Sequence, residues 1–524
     1  MGKIHLLDCT LRDGGYINDW KFGVDTIKGF GKKIARTGIE MYEIGFLKGS
    51  TLDPDRSVFP TIESIAPMIT PKAEHMKYLC MLDMSAPTPL EEIPPYDGTS
   101  VDGIRVIFKK EKLDEAFAYC KRIKELGYML FVNFVGTDLY TDKEFIEAIE
   151  KYNTLMPYSM AIVDTFGRTK RKQFLRFVYL ADHNMAPGIT LCYHGHNNLQ
   201  QAFSNAESLV EMNLKRDVCI DACVFGMGRG AGNLNLEVFA EYMNDNYDTE
   251  YRIEPMLEIM DEYLTDIYRH KFWGYSLPLY LSATLNAHPN YAIYLASKDS
   301  LTVKAFGELL RGIPENEKTV FSKERAERIY REYQENYIDD KETVARLSSE
   351  FAGRPVLLLA PGRSLAKHSQ RIRAVIRERC PIIMSLNFDA KQFSPDYVFS
   401  SNMRRFAKIQ GKTDAKCIVT SNMKECEQKD YVVNFSSYTS DMPELLDNSG
   451  LIALRLLAAI GVTEVMIAGM DGYSANPLLD YTKESLTFEF VDVCEHRNEL
   501  ISAELAKISK ALNLSFITPT LYTI

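Results

Sequence analysis

The sequence predicts an α/β protein: an N-terminal TIM (β/α)8 barrel with a helical extension, then a smaller Rossmann-like α/β domain. Three observations carry that expectation. Eight short apolar or β-branched runs occur up to about residue 225, most of them separated by stretches with helical spacing, and eight strand–helix units are the signature of a closed parallel barrel. The side chains suited to chemistry stand where those runs end, the face on which a barrel converges its site. A second strand–turn–helix pattern opens at Val356, after a strongly charged helical stretch. At 524 residues the chain is too long for one core, so more than one domain is expected.

The strand runs are Ile4–Asp8, Met41–Gly45, Tyr78–Asp83, Gly103–Phe108, Tyr128–Val135, Met160–Asp164, Ile189–His194 and Val218–Phe225. Leu113–Leu126 and Arg171–Asp182 show helical spacing between them. A doubly wound open sheet is the competing arrangement; the polar residues at the run ends favour the barrel. Residues 251–345 read as a helical extension and linker, punctuated by Trp273-Gly274-Tyr275 and His288-Pro289-Asn290-Tyr291. Within it, Lys323–Glu342 reads as one exposed charged helix. The expected domains are therefore 1–250, 251–345 and 346–524. In the last, strands are expected at Val356–Ala360, Ile382–Leu386, Tyr397–Ser400, Cys417–Thr420, Tyr431–Phe435 and Val465–Ala468.

Composition narrows the function classes. Hydrophobic residues make up 46% of the chain and charged residues 25%, as in globular proteins. A net charge of −10, from 61 basic and 71 acidic side chains, argues against a nucleic-acid partner, which needs a basic footprint. No run reaches the roughly 18–20 apolar residues of a membrane span; the best, Leu451–Val462, is interrupted by Arg455. No secretory leader is recognised. The ten cysteines include no Cys-x-x-Cys, and Cys9, Cys80, Cys192, Cys219 and Cys223 sit in apolar runs. They read as reduced core thiols in a cytoplasmic protein.

His194-Gly195-His196 leaves the seventh run, and Asp13 follows the first. Side chains alternate along a strand, so imidazoles at i and i+2 point to one side. In a closed barrel runs seven, eight and one are neighbours. These groups can therefore meet Asn233, which lies in Gly228-Arg229-Gly230-Ala231-Gly232-Asn233 after run eight. Two imidazoles, a carboxylate and an amide form a divalent-metal set that leaves positions for a bidentate 2-oxo acid. Mg2+ or Mn2+ suits it best, with Zn2+ or Co2+ as alternatives. Arg12, beside Asp13, is the expected electrophilic partner of an enolate. Glu43, in Tyr42-Glu43-Ile44-Gly45, is expected to hold Arg12 or a metal water. Asp164-Thr165 ends run six and is expected to order the same floor. Taken singly, His-x-His suits core packing, Arg-Asp-Gly-Gly an ordinary turn and Glu43 a buried ion pair. Joint placement on neighbouring runs favours the metal site.

Four segments, Asp8-Cys9-Thr10-Leu11-Arg12-Asp13-Gly14-Gly15, Tyr42-Glu43-Ile44-Gly45, His194-Gly195-His196-Asn197-Asn198 and Gly230-Ala231-Gly232-Asn233, resemble the motif set of the DRE-TIM metallolyases, over roughly residues 3–300. That family includes 4-hydroxy-2-oxovalerate aldolase, hydroxymethylglutaryl-CoA lyase and isopropylmalate synthase, and the aldolase branch is the most similar. The resemblance implies a metal-dependent barrel that makes or breaks a carbon–carbon bond through an enolate. It also implies a catalytic His two residues after the Asp-Gly of the first motif, where this chain has Tyr16. A catalytic Tyr on the helical segment is implied too; Tyr280 is the nearest match, with His288 and Tyr291 as alternatives. A phenol with a pKa of about 10 is a poorer base than imidazole at neutral pH. Either Tyr16 is tuned, or another group such as His288 serves, or the substrate differs.

In the C-terminal half, Val356–Leu365 reads as a strand, a tight turn and a helix start, whose backbone N–H groups are expected to face an anion such as phosphate. With Met384-Ser385-Leu386-Asn387-Phe388 and Gly469-Met470-Asp471-Gly472-Tyr473, it is similar to bacterial Rossmann-like domains of the sialyltransferase and pterin diphosphokinase types. Their usual Gly-Pro-Ser opening is altered here to Gly362-Arg363-Ser364. The resemblance implies a nucleotide or nucleotide-sugar ligand; a structural or partner-binding domain is the reading the residues themselves favour.

The expected function is a divalent-metal-dependent aldolase that cleaves or forms a 4-hydroxy-2-oxo acid, with a 2-oxo acid and an aldehyde as its small-molecule substrates. The alternatives are a Claisen-type acyl-CoA condensing synthase and a nucleotide-sugar-binding or glycosyltransferase-like protein acting through the C-terminal domain. A homo-oligomer, or a partner dehydrogenase that receives the aldehyde, is compatible with the sequence.

Overall fold

Eight parallel strands close into a barrel in the computed structural model, which describes residues 2–298, 300–474 and 491–523, from the backbone alone at 491 and 492. The chain divides into two compact units, Met1–Pro289 and Asn290–Ile524. The barrel strands of the first unit are β1 (Ile4–Asp8), β2 (Met41–Leu47), β3 (Lys77–Asp83), β4 (Gly103–Phe108), β5 (Met129–Phe134), β6 (Ser159–Asp164), β7 (Thr190–Gly195) and β8 (Val218–Ala222). They follow one another around the sheet, and β1 pairs with both β8 and β2 to complete it. A two-residue strand, Val58–Phe59, adds beside β2.

Alternate strand residues face in and out, so each strand feeds two apolar layers. Outward residues such as Tyr42, Tyr78 and Phe108 pack with the helices, whereas Leu7, Cys9, Leu79, Phe131, Val163 and Cys192 form a separate cluster inside the barrel. The helices are well specified locally. In Asp142–Asn153, for example, the Thr141 side chain accepts from Glu144 N while the Glu144 carboxylate accepts from Thr141 N, a reciprocal cap.

The eighth run ends sooner than its composition suggests. β8 stops at Ala222, because Cys223 N donates to Leu234 O and Val224 N to the Thr10 hydroxyl, and Phe225 takes a left-handed conformation with φ 59°. The charged helix expected over Lys323–Glu342 is two helices, Lys323–Gln334 and Lys341–Phe351. Between them, Ile338 N donates to Asn434 Oδ1 and Asp340 Oδ2 accepts from Asn434 N. The residues predicted as one extension, 251–345, are shared between the two units.

The second unit carries a seven-stranded parallel sheet: β9 (Val356–Leu359), β10 (Ile382–Leu386), β11 (Tyr397–Ser400), β12 (Lys416–Thr420), β13 (Tyr431–Val433), β14 (Glu464–Ala468) and β15 (Asn513–Phe516). Their order is β13-β12-β11-β10-β9-β14-β15, so the winding reverses between β9 and β14, as in Rossmann-like sheets. β13 is shorter than the run Tyr431–Phe435, since Phe435 already opens a helical turn, Phe435–Tyr438. β15 escapes the sequence pattern because it is an edge strand with no fully buried residue. The apolar stretch from Leu451 belongs to the helix Ser449–Ala459, which buries seven of its eleven residues and which Asn448 caps. Among the described residues, no helix is long and apolar enough to cross a membrane.

Candidate metal centre

Asp13 reaches the barrel mouth on a single wide turn, Thr10–Gly14, that follows β1. The Thr10 hydroxyl holds this turn by donating to Asp8 and accepting from Val224 N. From β7, His194 and His196 point to the same side, as their spacing requires. His194 Nε2 lies 3.5 Å and His196 Nε2 3.9 Å from Asp13 Oδ2. Ligand-type atoms of Asp13, His194 and His196 all fall within 4.8 Å of one another, and all three residues are buried. Asn233, on the loop after β8, donates from Nδ2 to Asp13 Oδ1 at 3.0 Å.

Behind these residues runs a closed ring of buried charge. Arg12 pairs with Asp13 and donates from Nε to Glu43 Oε2 at 2.8 Å. The same Glu43 oxygen accepts from Arg105 Nη1 at 3.1 Å, and Arg105 pairs in turn with Asp221. Asp221 Oδ2 lies 3.1 Å from His194 Nδ1, which returns the ring to Asp13. Two guanidinium charges against three carboxylates leave one negative charge, which a cation offsets, either a proton on His194 or a metal ion.

Burial would raise the Asp13 carboxyl, but the Arg12 guanidinium outweighs it and holds Asp13 ionised well below the usual carboxylate range. Burial also opposes charge on Arg12, and its neighbours Glu43 and Asp13 keep it protonated. Desolvation, reinforced by neighbouring cations, lowers His196 to about 3, so that ring is neutral and able to donate a lone pair. His194 is pulled the other way: burial lowers it, and Asp13 and Asp221 more than compensate.

The donor set fits a divalent ion. Asn233 Oδ1 is a buried atom with no hydrogen-bond partner among the described residues, and such an atom is costly unless something binds it. Two imidazoles, a carboxylate and an amide oxygen are also a chemically sensible set.

The remaining sequence candidates divide. Glu43 sits behind Arg12, fully buried. Tyr16 stands at the rim, two-fifths exposed, edge-on to Trp20 with 4.8 Å between ring centres. Desolvation pushes its pKa above the usual value, the wrong direction for a base. His288 packs edge-on against Phe166 at 5.8 Å and is lowered to about 3 by burial, then by Arg229 and Lys109. Tyr280, on the helix Leu277–Thr284, lies 6.3 Å from Tyr275 ring to ring. Among the described residues no hydrogen bond, ion pair or ring contact joins it to the metal residues. Tyr291 lies in the second unit, where its hydroxyl donates to Val320 O. Asp164 accepts from the backbone N–H groups of Arg168 and Thr169, which orders the loop after β6; burial raises it to about 6.

Sequence reasoning missed Arg105 and Asp221. A signal existed: each is a lone charge inside an otherwise buried strand, Gly103–Phe108 and Val218–Ala222. Such a charge requires a partner across the barrel.

In the second unit the turn Pro361–Ser364 differs from expectation. Gly362 N donates to Gly469 O, while Ser364 gives both its N–H and its hydroxyl to Asp471. The aspartate carboxylate therefore occupies the position expected for a phosphate. Beside it, at the carboxyl ends of the strands around the reversal, lies a cavity of about 630 Å3. Its wall includes Asn387, Asn402, Ser449, Arg405 and Arg497. Asn387 is fixed by donating to Ser449 Oγ and accepting from Ser400 Oγ.

The barrel and its buried Asp–His–His cluster, backed by the Arg12–Glu43 pair, define a metal-dependent carbon–carbon lyase or aldolase. Comparison with known proteins agrees. The barrel half of the chain, residues 3–261, matches the HMGL-like family model. It is 25% identical over 277 residues to a 4-hydroxy-2-oxovalerate aldolase of Desulfitobacterium hafniense, spanning 50% of this chain and 78% of that protein. It is 26% identical over 269 residues to a 2-isopropylmalate synthase of Prochlorococcus marinus, spanning 47% of each. Among solved structures, an HMG-CoA lyase from Brucella melitensis is similar with a TM-score of 0.40 at 17% identity, over 49% of this chain and 96% of that one.

Proposed function

We propose that the barrel is an aldolase that cleaves or forms a 4-hydroxy-2-oxo acid, with pyruvate or a close 2-oxo acid as one product or substrate. The observation that carries this reading is Arg12, a permanently charged donor locked by Glu43 beside the Asp13–His194–His196 cluster. A divalent ion, Mn2+ or Mg2+, held by Asp13, His194, His196 and Asn233 would supply Lewis-acid polarisation of the 2-oxo acid.

The chain's own residues supply the rest. In cleavage the 4-hydroxyl gives up its proton as the C3–C4 bond breaks, and the bonding pair becomes the enolate of the 2-oxo acid. Arg12 faces the developing enolate charge, and Glu43 prevents the guanidinium from turning away, so the donor costs no reorganisation when charge appears. In condensation Tyr16, kept protonated, donates to the aldehyde oxygen as it becomes a hydroxyl. In cleavage the Tyr16 oxygen, ionised, takes that proton from the 4-hydroxyl; its raised pKa keeps the ionised form scarce at neutral pH, which favours condensation.

The test is deuterium exchange into the methyl group of pyruvate, followed by proton NMR with Mn2+ or Mg2+ present. Wild type exchanges, chelator stops it, and Asp13→Ala and Arg12→Ala abolish it. Absence of exchange in metal-loaded wild type overturns the reading.

For the second unit we propose a nucleotide or nucleotide-sugar ligand, supported by the cavity at the strand reversal, where open α/β sheets characteristically bind ligands. With Asp471 occupying the β9 turn, a phosphate in the cavity would meet the wall cations Lys298, Lys323, Arg405 and Arg497. Calorimetric titration of the whole chain with nucleoside mono- and diphosphates and their sugar conjugates checks this. No heat from any of them leaves the domain a structural role.

A further inference from the structure

The rim of the barrel carries more positive charge than its ion pairs consume. Arg168 is neutralised by Asp138 at 2.6 Å. Lys48, which follows β2, lies 4.4 Å from the Trp20 ring and 4.3 Å from the Phe46 ring, facing Asp83 electrostatically. Two further cations, Arg229 and Lys109, have no carboxylate within ion-pair distance among the described residues.

Arg229 is the better placed of these two. Its backbone N–H points at Asp13 Oδ1 at 3.4 Å, and its guanidinium lies over the Tyr16 ring, 5.2 Å from the centroid. The same charge acts on Tyr16, His196 and His288, so it stands between the proposed proton donor and the metal ligands. Lys109, just past β4, also acts on His288. His288, held neutral, does not add to the charge; Asp13 and Asp83 are the acidic groups acting on Tyr16, and Asp83 and Asp19 those acting on Lys48.

The Tyr16 face returns only part of the desolvation cost of this half-buried guanidinium, whose charge has no carboxylate counter-ion among the described residues. Its planar fork matches a carboxylate or a phosphate monoester. Asp13 does not fill that role, since its carboxylate is already committed to Arg12 and the two imidazoles.

We propose that the acceptor aldehyde carries its own anionic group, and that Arg229, aided by Lys109, receives that group across the barrel mouth from the metal cluster. The inference rests on the aldolase reading and deepens it. With the anion on Arg229, the aldehyde carbonyl extends toward the Tyr16 hydroxyl and the enolate carbon. Arg229 would thus choose the acceptor and position it, without touching the reacting bond.

The experiment uses the full chain with Mn2+, pyruvate and matched acceptor pairs: succinic semialdehyde against butanal, and glyceraldehyde 3-phosphate against glyceraldehyde. The charged member of at least one pair is expected to have a kcat/KM about tenfold or more above its neutral partner. Which pair shows it distinguishes carboxylate from phosphate. Arg229→Gln should collapse that ratio toward one, mainly through the acceptor KM, and Lys109→Met should reduce it less. Equal use of both members in both pairs, or a parallel loss on both members in Arg229→Gln, overturns the proposal.

Calorimetric binding of succinate and of glycerol 3-phosphate to the Mn2+-loaded chain reads the anion seat without turnover. If pyruvate methyl exchange is absent but one acid binds and Arg229→Gln abolishes that binding, the aldolase reading falls and the seat stands. If neither acid binds, the seat falls, whatever the exchange result.

Discussion

His194 bridges two carboxylates, with Nε2 3.5 Å from Asp13 and Nδ1 3.1 Å from Asp221. The second contact fixes which face of the ring is offered at the barrel mouth. Removing the charge of the outer partner therefore weakens the centre without touching a ligand. Asp221→Asn should lower Mn2+ affinity about 10–100-fold, measured by calorimetric titration, while circular dichroism shows the barrel still folded.

Arg105 is fully buried between Glu43 and Asp221. Replacing it with Met leaves two buried carboxylates short of a partner, a loss of about 3–5 kcal/mol. Urea unfolding should record that loss as a lower midpoint. Arg105→Lys keeps the charge but cannot reach both carboxylates with the same fork, so it should fall between Met and wild type.

Gly228 touches the centre through what it lacks. A Cβ there would lie 2.1 Å from Asn233 Nδ2 and 3.0 Å from Asp13 Oδ1. Gly228→Ala must push Asn233 away, so Mn2+ affinity should drop by about tenfold or more. The thermal midpoint of the chelated protein should change far less, since the displaced amide lies at the mouth and not in the core.

Glu350 gives the second unit a pH-dependent element. Its carboxylate accepts from the hydroxyls of Tyr397 at 2.6 Å and Tyr431 at 2.5 Å and from Lys416 at 2.9 Å. These bonds lower its pKa from 4.5 to about 2, the Tyr397 bond most. A carboxylate depressed on folding stabilises the protein above its unfolded pKa and loses that contribution as pH falls through the folded value. Glu350→Gln should therefore cost about 1.5–3 kcal/mol near neutral pH, and the difference should vanish as pH falls from about 4.5 to 2. A constant difference across that range would contradict the assignment.

Much of this architecture is legible in the chain because parallel strands buried on both faces read as uninterrupted apolar runs. Where the runs misled, a local hydrogen bond or exposure had intervened. Cys223 leaves the ladder to bond the Asn233 loop, and β15 shows no buried face. The convergence of Asp13, His194 and His196 is legible for the same reason: each sits at a strand end, and barrel closure makes the strand ends neighbours. The rim was less so. Tyr16 and Tyr280 came from motif position, and position does not say where a side chain on a turn or helix will point.

What the sequence determined by itself was the periodicity: eight strand units, the strand-end polar residues, and a second parallel sheet. These depend on spacing along the chain, which the backbone geometry of a strand converts directly into a face. Only the tertiary structure decided which charges neutralise which. Arg105 meets Glu43 and Asp221 across 62 and 116 residues of sequence. Asp471 closes the β9 turn across 107, and Arg229 is left without a carboxylate among the described residues. Electrostatic pairing depends on distance in space and on the dielectric between groups, and neither is set until the barrel closes and the sheet winds.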